Sequence, residues 1–370
     1  MPLRVAINGY GRIGRNLLRA YFEAGADPAL EFVAINDLGK PEALAHLTRY
    51  DSTHGRFAGR VELDGQTLRI TPVACHVHGC NGDDPLAGAR GGIPAEAAPD
   101  EAPAGRARAI RLLSEPAPEK LPWAALGVDV VLECTGQFRA RKEAARHLAA
   151  GAQKVIIGAA PFDEVDMMLV YGVNHEELTP GHRILSSVSC TTNALVPLVK
   201  ILDEAFGVES GLMTEIHAVT SDQVLLDHTH RDVRRGRAAG NNIIPTTSSS
   251  IGALRHVLPE VGARIDGYSV RVPTQNVAAI DFTFVAKKPL SVAAINAEFA
   301  REATGPYRHI LSYCDELLVS SDFNHSPYSL IFDATETRVM GRQAKVLAWY
   351  DNEWGYARRL LDLCTYLARI

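Results

Sequence analysis

A short apolar, partly β-branched run from Leu3 to Ile7 leads directly into NGYGRIG, and apolar residues then recur at Ile13, Leu17, Leu18, Tyr21 and Phe22. That order reads as strand, tight turn and helix. Gly9, Gly11 and Gly14 stand at G-x-G-x-x-G spacing in this context, with Arg12 and Ile13 on the turn. The glycines let the chain turn sharply and let its backbone reach a pyrophosphate, whose negative charge is favoured by free N–H groups and the helix dipole.

A second strand, Phe32 to Ile35, ends in Asn36 and Asp37. A carboxylate there accepts hydrogen bonds from an adenosine ribose and repels a 2′-phosphate, so the expected cofactor is NAD rather than NADP. Val128 to Leu132 and Val155 to Ile157 are further short runs of the buried, parallel-sheet kind, and Lys142 to Ala150 reads as helix. The expectation is a Rossmann-type α/β domain on a mostly parallel sheet. Beyond Cys190 the rhythm changes: Gly211 to Val219, Tyr268 to Pro273, Val277 to Val285 and Ala344 to Trp349 read as strands. They predict a separate α+β catalytic domain with a mostly antiparallel sheet. Gly355 to Ile370 reads as a terminal helix. The division expected is 1–189 for the dinucleotide, 190–352 for catalysis, and 353–370 as a helix returning to the first domain. Residues 75–107, rich in Gly, Pro and Ala, read as an exposed, flexible insertion.

A chain of 370 residues, 46% hydrophobic, can bury the cores of two domains. Its 38 basic and 43 acidic side chains are interspersed, which argues against a nucleic-acid partner and for a small-molecule ligand. No apolar stretch approaches a membrane span and MPLRVAINGYGRIGR does not resemble a secretory signal, so a cytoplasmic protein without a membrane partner is expected. Six scattered cysteines make no disulfide framework. Cys75, His76, His78 and Cys80 suggest a metal cluster, but the spacing is not that of a usual zinc module and no second ligand pair follows. No metal is expected.

SCTTN opens a helix on which Leu195, Leu198, Val199 and Leu202 recur three or four apart, with Val196 and Ile201 broadening the apolar stripe and Pro197 inside it. Cys190 stands at its N-terminus, where backbone N–H groups and a protonated imidazole would lower a thiol's pKa and make a nucleophile. His217, at the end of a β-run in TEIHAVTSDQ, is the candidate imidazole.

NGYGRIGRN, YDSTHGRF, ECTGQF, SCTTN, VRVPTQNV, SSDFNHSPYS and WYDNEWGYARR follow one another as in glyceraldehyde-3-phosphate dehydrogenases, and the chain resembles that family over nearly its whole length outside the insertion. The resemblance implies that Cys190 attacks an aldehyde, that His217 removes the hydroxyl proton, and that inorganic phosphate cleaves the thioester left by hydride transfer. It implies cofactor contacts from Thr135 and Asn352. A small phosphorylated aldehyde would be held by Thr220, the neighbourhood of Asp222, Arg235 and Arg271, and inorganic phosphate by Ser189, Thr191, Ser248 and Ser249. HRDVRRGRAAGNNIIP resembles the family's interface loop, and a homotetramer is implied.

This chain departs from the usual family pattern at Ser187, Ala194, Ser248, Ser249 and Pro116. LVYGVN and DFNHSPYS lie near the pattern of erythrose-4-phosphate dehydrogenase, the alternative with one more carbon. Asp37 and the segment TSDQVLLDHTHRDVRRGRAA tilt the expectation to the three-carbon substrate. From another class, an NAD-binding regulatory or assembly protein that has lost turnover would fit the altered positions around Cys190 and Ser248.

Overall fold

The computed structural model describes residues 1–72 and 107–370; the Cys75 to Cys80 motif and all but the last residue of the 75–107 insertion lie outside the described residues. The first half runs through β1 (Leu3–Asn8), α1 (Arg12–Glu23), β2 (Leu30–Asn36), α2 (Pro41–Arg49), β3 (Tyr50–Asp51), β4 (Gly55–Arg56), β5 (Gly59–Asp64), β6 (Thr67–Pro72), β7 (Arg108–Leu113), β8 (Val130–Glu133), α3 (Arg141–Ala149), β9 (Lys154–Ile157), β10 (Met167–Met168) and β11 (Ile184–Ser186). One sheet takes the order β10, β11, β9, β8, β1, β2, β7, β6, β5. Pairings from β10 to β7 are parallel, and β6 and β5 add an antiparallel edge. Strand order reverses at β1, with β2 on one side and β8 on the other. This is the topological switch point, where the carboxyl ends of parallel strands leave a crevice for a ligand.

The second half runs through α4 (Cys190–Phe206), β12 (Val208–His217), β13 (Ile244–Thr246), α5 (Ser250–Val257), α6 (Pro259–Gly262), β14 (Ile265–Arg271), β15 (Ala278–Ala286), α7 (Val292–Thr304), β16 (Leu311–Cys314), β17 (Leu330–Met340), β18 (Gln343–Tyr350) and α8 (Trp354–Leu367). Its sheet has the order β13, β14, β12, β15, β18, β17, β16 and is mostly antiparallel, with parallel pairings only at β12 to β14 and β16 to β17. β12 begins earlier than the sequence pattern suggests and ends at His217, where Val219 N–H turns away to donate to Thr274 O at 3.0 Å.

Leu195, Leu198, Val199 and Leu202 of α4 pack into one core with the second sheet and α7, while α1 and the first sheet share another core with Leu360, Leu363 and Cys364 of α8. Cys190 packs against both. Pro197, inside α4, is buried and lacks the N–H that would meet a carbonyl one turn earlier. Burial on nearly every side keeps the helix continuous across that missing bond.

Leu360, fully buried in the first core, ties α8 to that sheet. Leu360→Ala is expected to remove about 2–5 kcal/mol of folding stability through lost burial and the cavity left behind. A lower urea midpoint at unchanged slope would register that loss.

Candidate active site

Cys190 is the first residue of α4, and Ser189 caps it, its Oγ accepting from Thr192 N–H at 3.1 Å. The preceding Val188 has φ +50°, a conformation a β-branched residue adopts only under constraint. Here the constraint is visible: Val188 N–H donates to Ser186 Oγ at 3.0 Å, and its carbonyl accepts from Tyr356 hydroxyl at 3.1 Å. The strained turn aims the first residue of the helix into the seam between the two cores.

Strand alternation puts Met213, Glu215 and His217 on the buried face of β12. His217 Nε2 lies 3.5 Å from Cys190 Sγ. Its Nδ1 is 2.6 Å from Ala218 O, and its Nε2 faces the thiol. Register between β12 and β14 sets Arg271 opposite His217, and Arg271 Nη1 approaches Nδ1 to 2.5 Å. Burial and that guanidinium push the imidazole down to about 4. Burial, helped by Glu215, pushes the Cys190 thiol up to about 12, against the lowering effects of Arg271 and Thr191. Burial thus works against the expected thiolate and imidazolium, raising the thiol and lowering the ring, while Arg271 and Thr191 favour the thiolate.

The anion-binding candidates fall into separate groups. Thr191 is buried, with its Oγ1 donating to Glu215 Oε1 at 2.9 Å and lying 2.8 Å from Tyr350 hydroxyl. Thr220 bonds Gln223 Oε1 through both N–H and hydroxyl, at 2.9 Å each. Arg235 pairs with Asp222 and donates through Nε to Thr246 Oγ1 at 2.9 Å, which fixes the loop between β12 and β13. Ser248 Oγ meets Ser250 Oγ at 2.6 Å, and Ser249 is exposed at the start of α5. Ser187, Ala194 and Pro116, the other departures, fall respectively on the strained turn, inside the α4 core and on the surface.

At the switch point, Gly9 has φ +91°, and a Cβ there would lie 2.6 Å from Thr135 N. A Cβ on Gly14 would lie 2.3 Å from Gly9 O, whereas one on Gly11 meets nothing within 4 Å. The turn is thus closed beneath and open above, at the N-terminus of α1 where Ile13 follows. Asp37 accepts from Tyr10 N–H and Gly39 N–H at 2.8 Å each, which orients its carboxylate beside the turn. Thr135 is held through N–H and hydroxyl by Glu133. Arg12 turns its guanidinium to Asp51 and Glu353. Neighbouring Asn352 is buried, with Oδ1 lacking a hydrogen-bond partner. An open N–H cradle, an acidic residue and an orphaned acceptor suited to an amide donor fit a nicotinamide dinucleotide. Among the described residues, no cluster of three or more His, Cys, Asp or Glu is placed to hold a metal.

Residues 3–85 match the glyceraldehyde 3-phosphate dehydrogenase NAD binding domain, and residues 189–352 match the C-terminal domain of the same enzyme. This chain belongs to the glyceraldehyde-3-phosphate dehydrogenase family. It is 47% identical over 368 residues to the plasmid-encoded glyceraldehyde-3-phosphate dehydrogenase of Cupriavidus necator, covering 100% of this chain and 99% of that protein. The chromosomal enzyme of the same organism is also 47% identical over 368 residues, with the same coverage. Identity to the glyceraldehyde-3-phosphate dehydrogenase of Xanthobacter flavus is 45% over 371 residues, covering 100% of both chains.

Beside the residues expected from sequence, this family member has buried polar groups that sequence reading passed over. Glu133 is fully enclosed, taking Asn8 Nδ2 at 2.5 Å and His147 Nε2 at 3.0 Å; Trp123 Nε1 donates to the other ring nitrogen of His147 at 3.0 Å. The available signal was Glu133 inside ECTGQF, next to Thr135. Glu215, two residues before His217 on a strand, could have been found by alternation alone.

A side chain at Gly9 collides with backbone, so Gly9→Ala should weaken NAD binding more than tenfold in a fluorescence titration, an order-of-magnitude loss set by strain at positive φ. The depressed His217 ring gives a second expectation. Its folded value of about 4 lies below the ordinary 6.5, so its contribution to stability is complete above pH 6.5 and is lost as pH falls toward 4. Urea unfolding should show the parent chain losing up to about 3 kcal/mol more over that interval than His217→Gln.

Proposed function

We infer that this chain catalyses the phosphorylating oxidation of glyceraldehyde 3-phosphate to 1,3-bisphosphoglycerate with NAD, through a thioester on Cys190. The observation that carries the reading is the 3.5 Å approach of Cys190 Sγ to His217 Nε2 at the seam of the two cores. Cys190 Sγ attacks the aldehyde carbon as its proton passes to the imidazole, which returns it to the oxyanion to give a hemithioacetal. Backbone N–H groups at the start of α4 and the His217 ring stabilise the oxyanion. His217 removes the hemithioacetal hydroxyl proton as the thioester forms. NAD held by the Gly9 to Gly14 turn, Asp37 and Asn352 would supply the acceptor for the hydride leaving the substrate carbon. Inorganic phosphate then attacks the thioester, giving the acyl phosphate and freeing the sulfur of Cys190.

In this reading Thr220, Arg235, Arg271 and the neighbourhood of Asp222 hold the substrate phosphate, and Ser189, Thr191, Ser248 and Ser249 hold the attacking phosphate. Gly9, Gly11, Gly14, Arg12, Ile13, Asp37 and Thr135 form the dinucleotide cradle, and Asn352 receives the carboxamide. The chain divides at 1–189, 190–352 and 353–370, a division supported by the packing of α8 with α1 in the first core. A homotetramer is the assembly we propose. A cytoplasmic location accords with four free cysteines among the described residues.

NADH formation from glyceraldehyde 3-phosphate should depend on added phosphate and exceed that from erythrose 4-phosphate. Cys190→Ser should retain less than about a thousandth of turnover, and His217→Gln should lower kcat by about 10²–10⁴. Turnover by Cys190→Ser at the parent rate would refute the thioester route.

A further inference from the structure

Glu215 is a carboxylate in the interior of the catalytic half, only 3% exposed, on the same strand face as His217. Its Oε1 accepts from Thr191 Oγ1 at 2.9 Å and lies 3.9 Å from His217 Nε2. Arg271 Nη2 is 3.8 Å from the same oxygen. Oε2 is buried without a hydrogen-bond partner. Tyr350 hydroxyl, kept protonated by burial and by Glu215 itself, donates to Thr191 Oγ1 and so completes a chain of donors aimed at the carboxylate. The groups facing Glu215 are thus Cys190 and Thr191 from α4, His217 from β12, Arg271 from β14 and Tyr350 from β18, with Arg235 acting on the ring from the loop beyond.

Burying a carboxylate with one oxygen unsatisfied is costly, and an apolar residue would suit this face of the strand better. What the position offers a charge is its neighbours. Arg271 stands close to both Glu215 and the His217 ring, yet as a fixed cation it opposes protonation of that ring. A negative group within 4 Å of Nε2 supplies the opposite influence. We propose that Glu215 is a positioning residue for the Cys190 and His217 pair: its carboxylate, held by Thr191 and Arg271, is the counter-charge that His217 meets when its ring takes up a proton. The role rests on the general-base function proposed for His217. It explains why a ring set between burial and a guanidinium can still receive the proton of the thiol or of the hemithioacetal.

The sign of the effect is set by charge. Glu215 raises the imidazole and raises the thiol. Removing the carboxylate therefore makes the ring harder to protonate and the thiol easier to ionise, and both changes move the pair's titration to lower pH. The test follows alkylation of Cys190 by iodoacetamide as a function of pH in the full chain, read on the Cys190 peptide by mass spectrometry so that the other thiols do not contribute. Glu215→Gln should shift the midpoint acidward by about one pH unit, and should lower kcat for NADH formation about tenfold. Glu215→Asp, which retains the charge, should shift the midpoint by less than half as much.

A Gln midpoint that coincides with the parent's, or an Asp midpoint displaced as far as that of Gln, would overturn the proposal. If the Gln protein does not fold, Glu215→Thr, a neutral β-branched residue suited to a strand, must show the same acidward shift, and a parental midpoint there overturns it equally. The parent's own NADH formation tests the dehydrogenase reading separately. Alkylation needs neither substrate nor cofactor, so failure of one idea is not mistaken for failure of the other.

Discussion

The Cys190 sulfur is held where two hydrophobic cores meet. α4 buries its apolar residues against the catalytic sheet, yet its first residue also packs against the core built by the dinucleotide-binding sheet and α8. Neither half alone sets the direction of Cys190. Val188 shows the constraint locally: its left-handed backbone persists because Ser186 and Tyr356 hold it from opposite sides, and Tyr356 belongs to the helix that returns from the far end of the chain. The terminal helix is thus tied to the turn that carries Cys190.

Around that seam, the molecule keeps charge in places where burial opposes it. Arg12 is met by Asp51 and Glu353, His54 Nε2 lies 3.0 Å from Glu353, and Glu353 follows Asn352, whose amide oxygen has no hydrogen-bond partner. Glu133 and His147 do similar work under the glycine turn, where the Trp123 contact leaves His147 Nε2 as the donor to Glu133. Each network fixes a loop at the carboxyl end of a strand, where local hydrogen bonding alone would leave the chain free. Desolvated ion pairs add little net stability, but breaking one leaves an uncompensated charge, so they enforce a single arrangement.

Much of this was readable along the chain because the decisive signals are local. The glycine spacing, the apolar period of α4 and the helical pattern of α8 each lie within one element. β17 escaped notice because Asp333 interrupts its apolar run; in the fold that carboxylate is buried and accepts from Trp349 Nε1 at 2.9 Å, a partner from the neighbouring strand. β5, at the sheet edge, buries only Val61, and β6 beside it buries only Leu68 and Ile70, so the apolar signal of both is weak.

The order of residues determined the two kinds of sheet, the dinucleotide turn and the choice of Cys190 and His217 as the candidate pair, since each depends on periodicity or on neighbours a few positions apart. Tertiary structure decided the state of that pair. Whether Cys190 is ionised depends on how water is excluded from it, on Arg271 arriving from β14 and on Glu215 lying across from the ring. Those influences come from residues distant in sequence and act through space, and their balance depends on distances that only the folded chain sets.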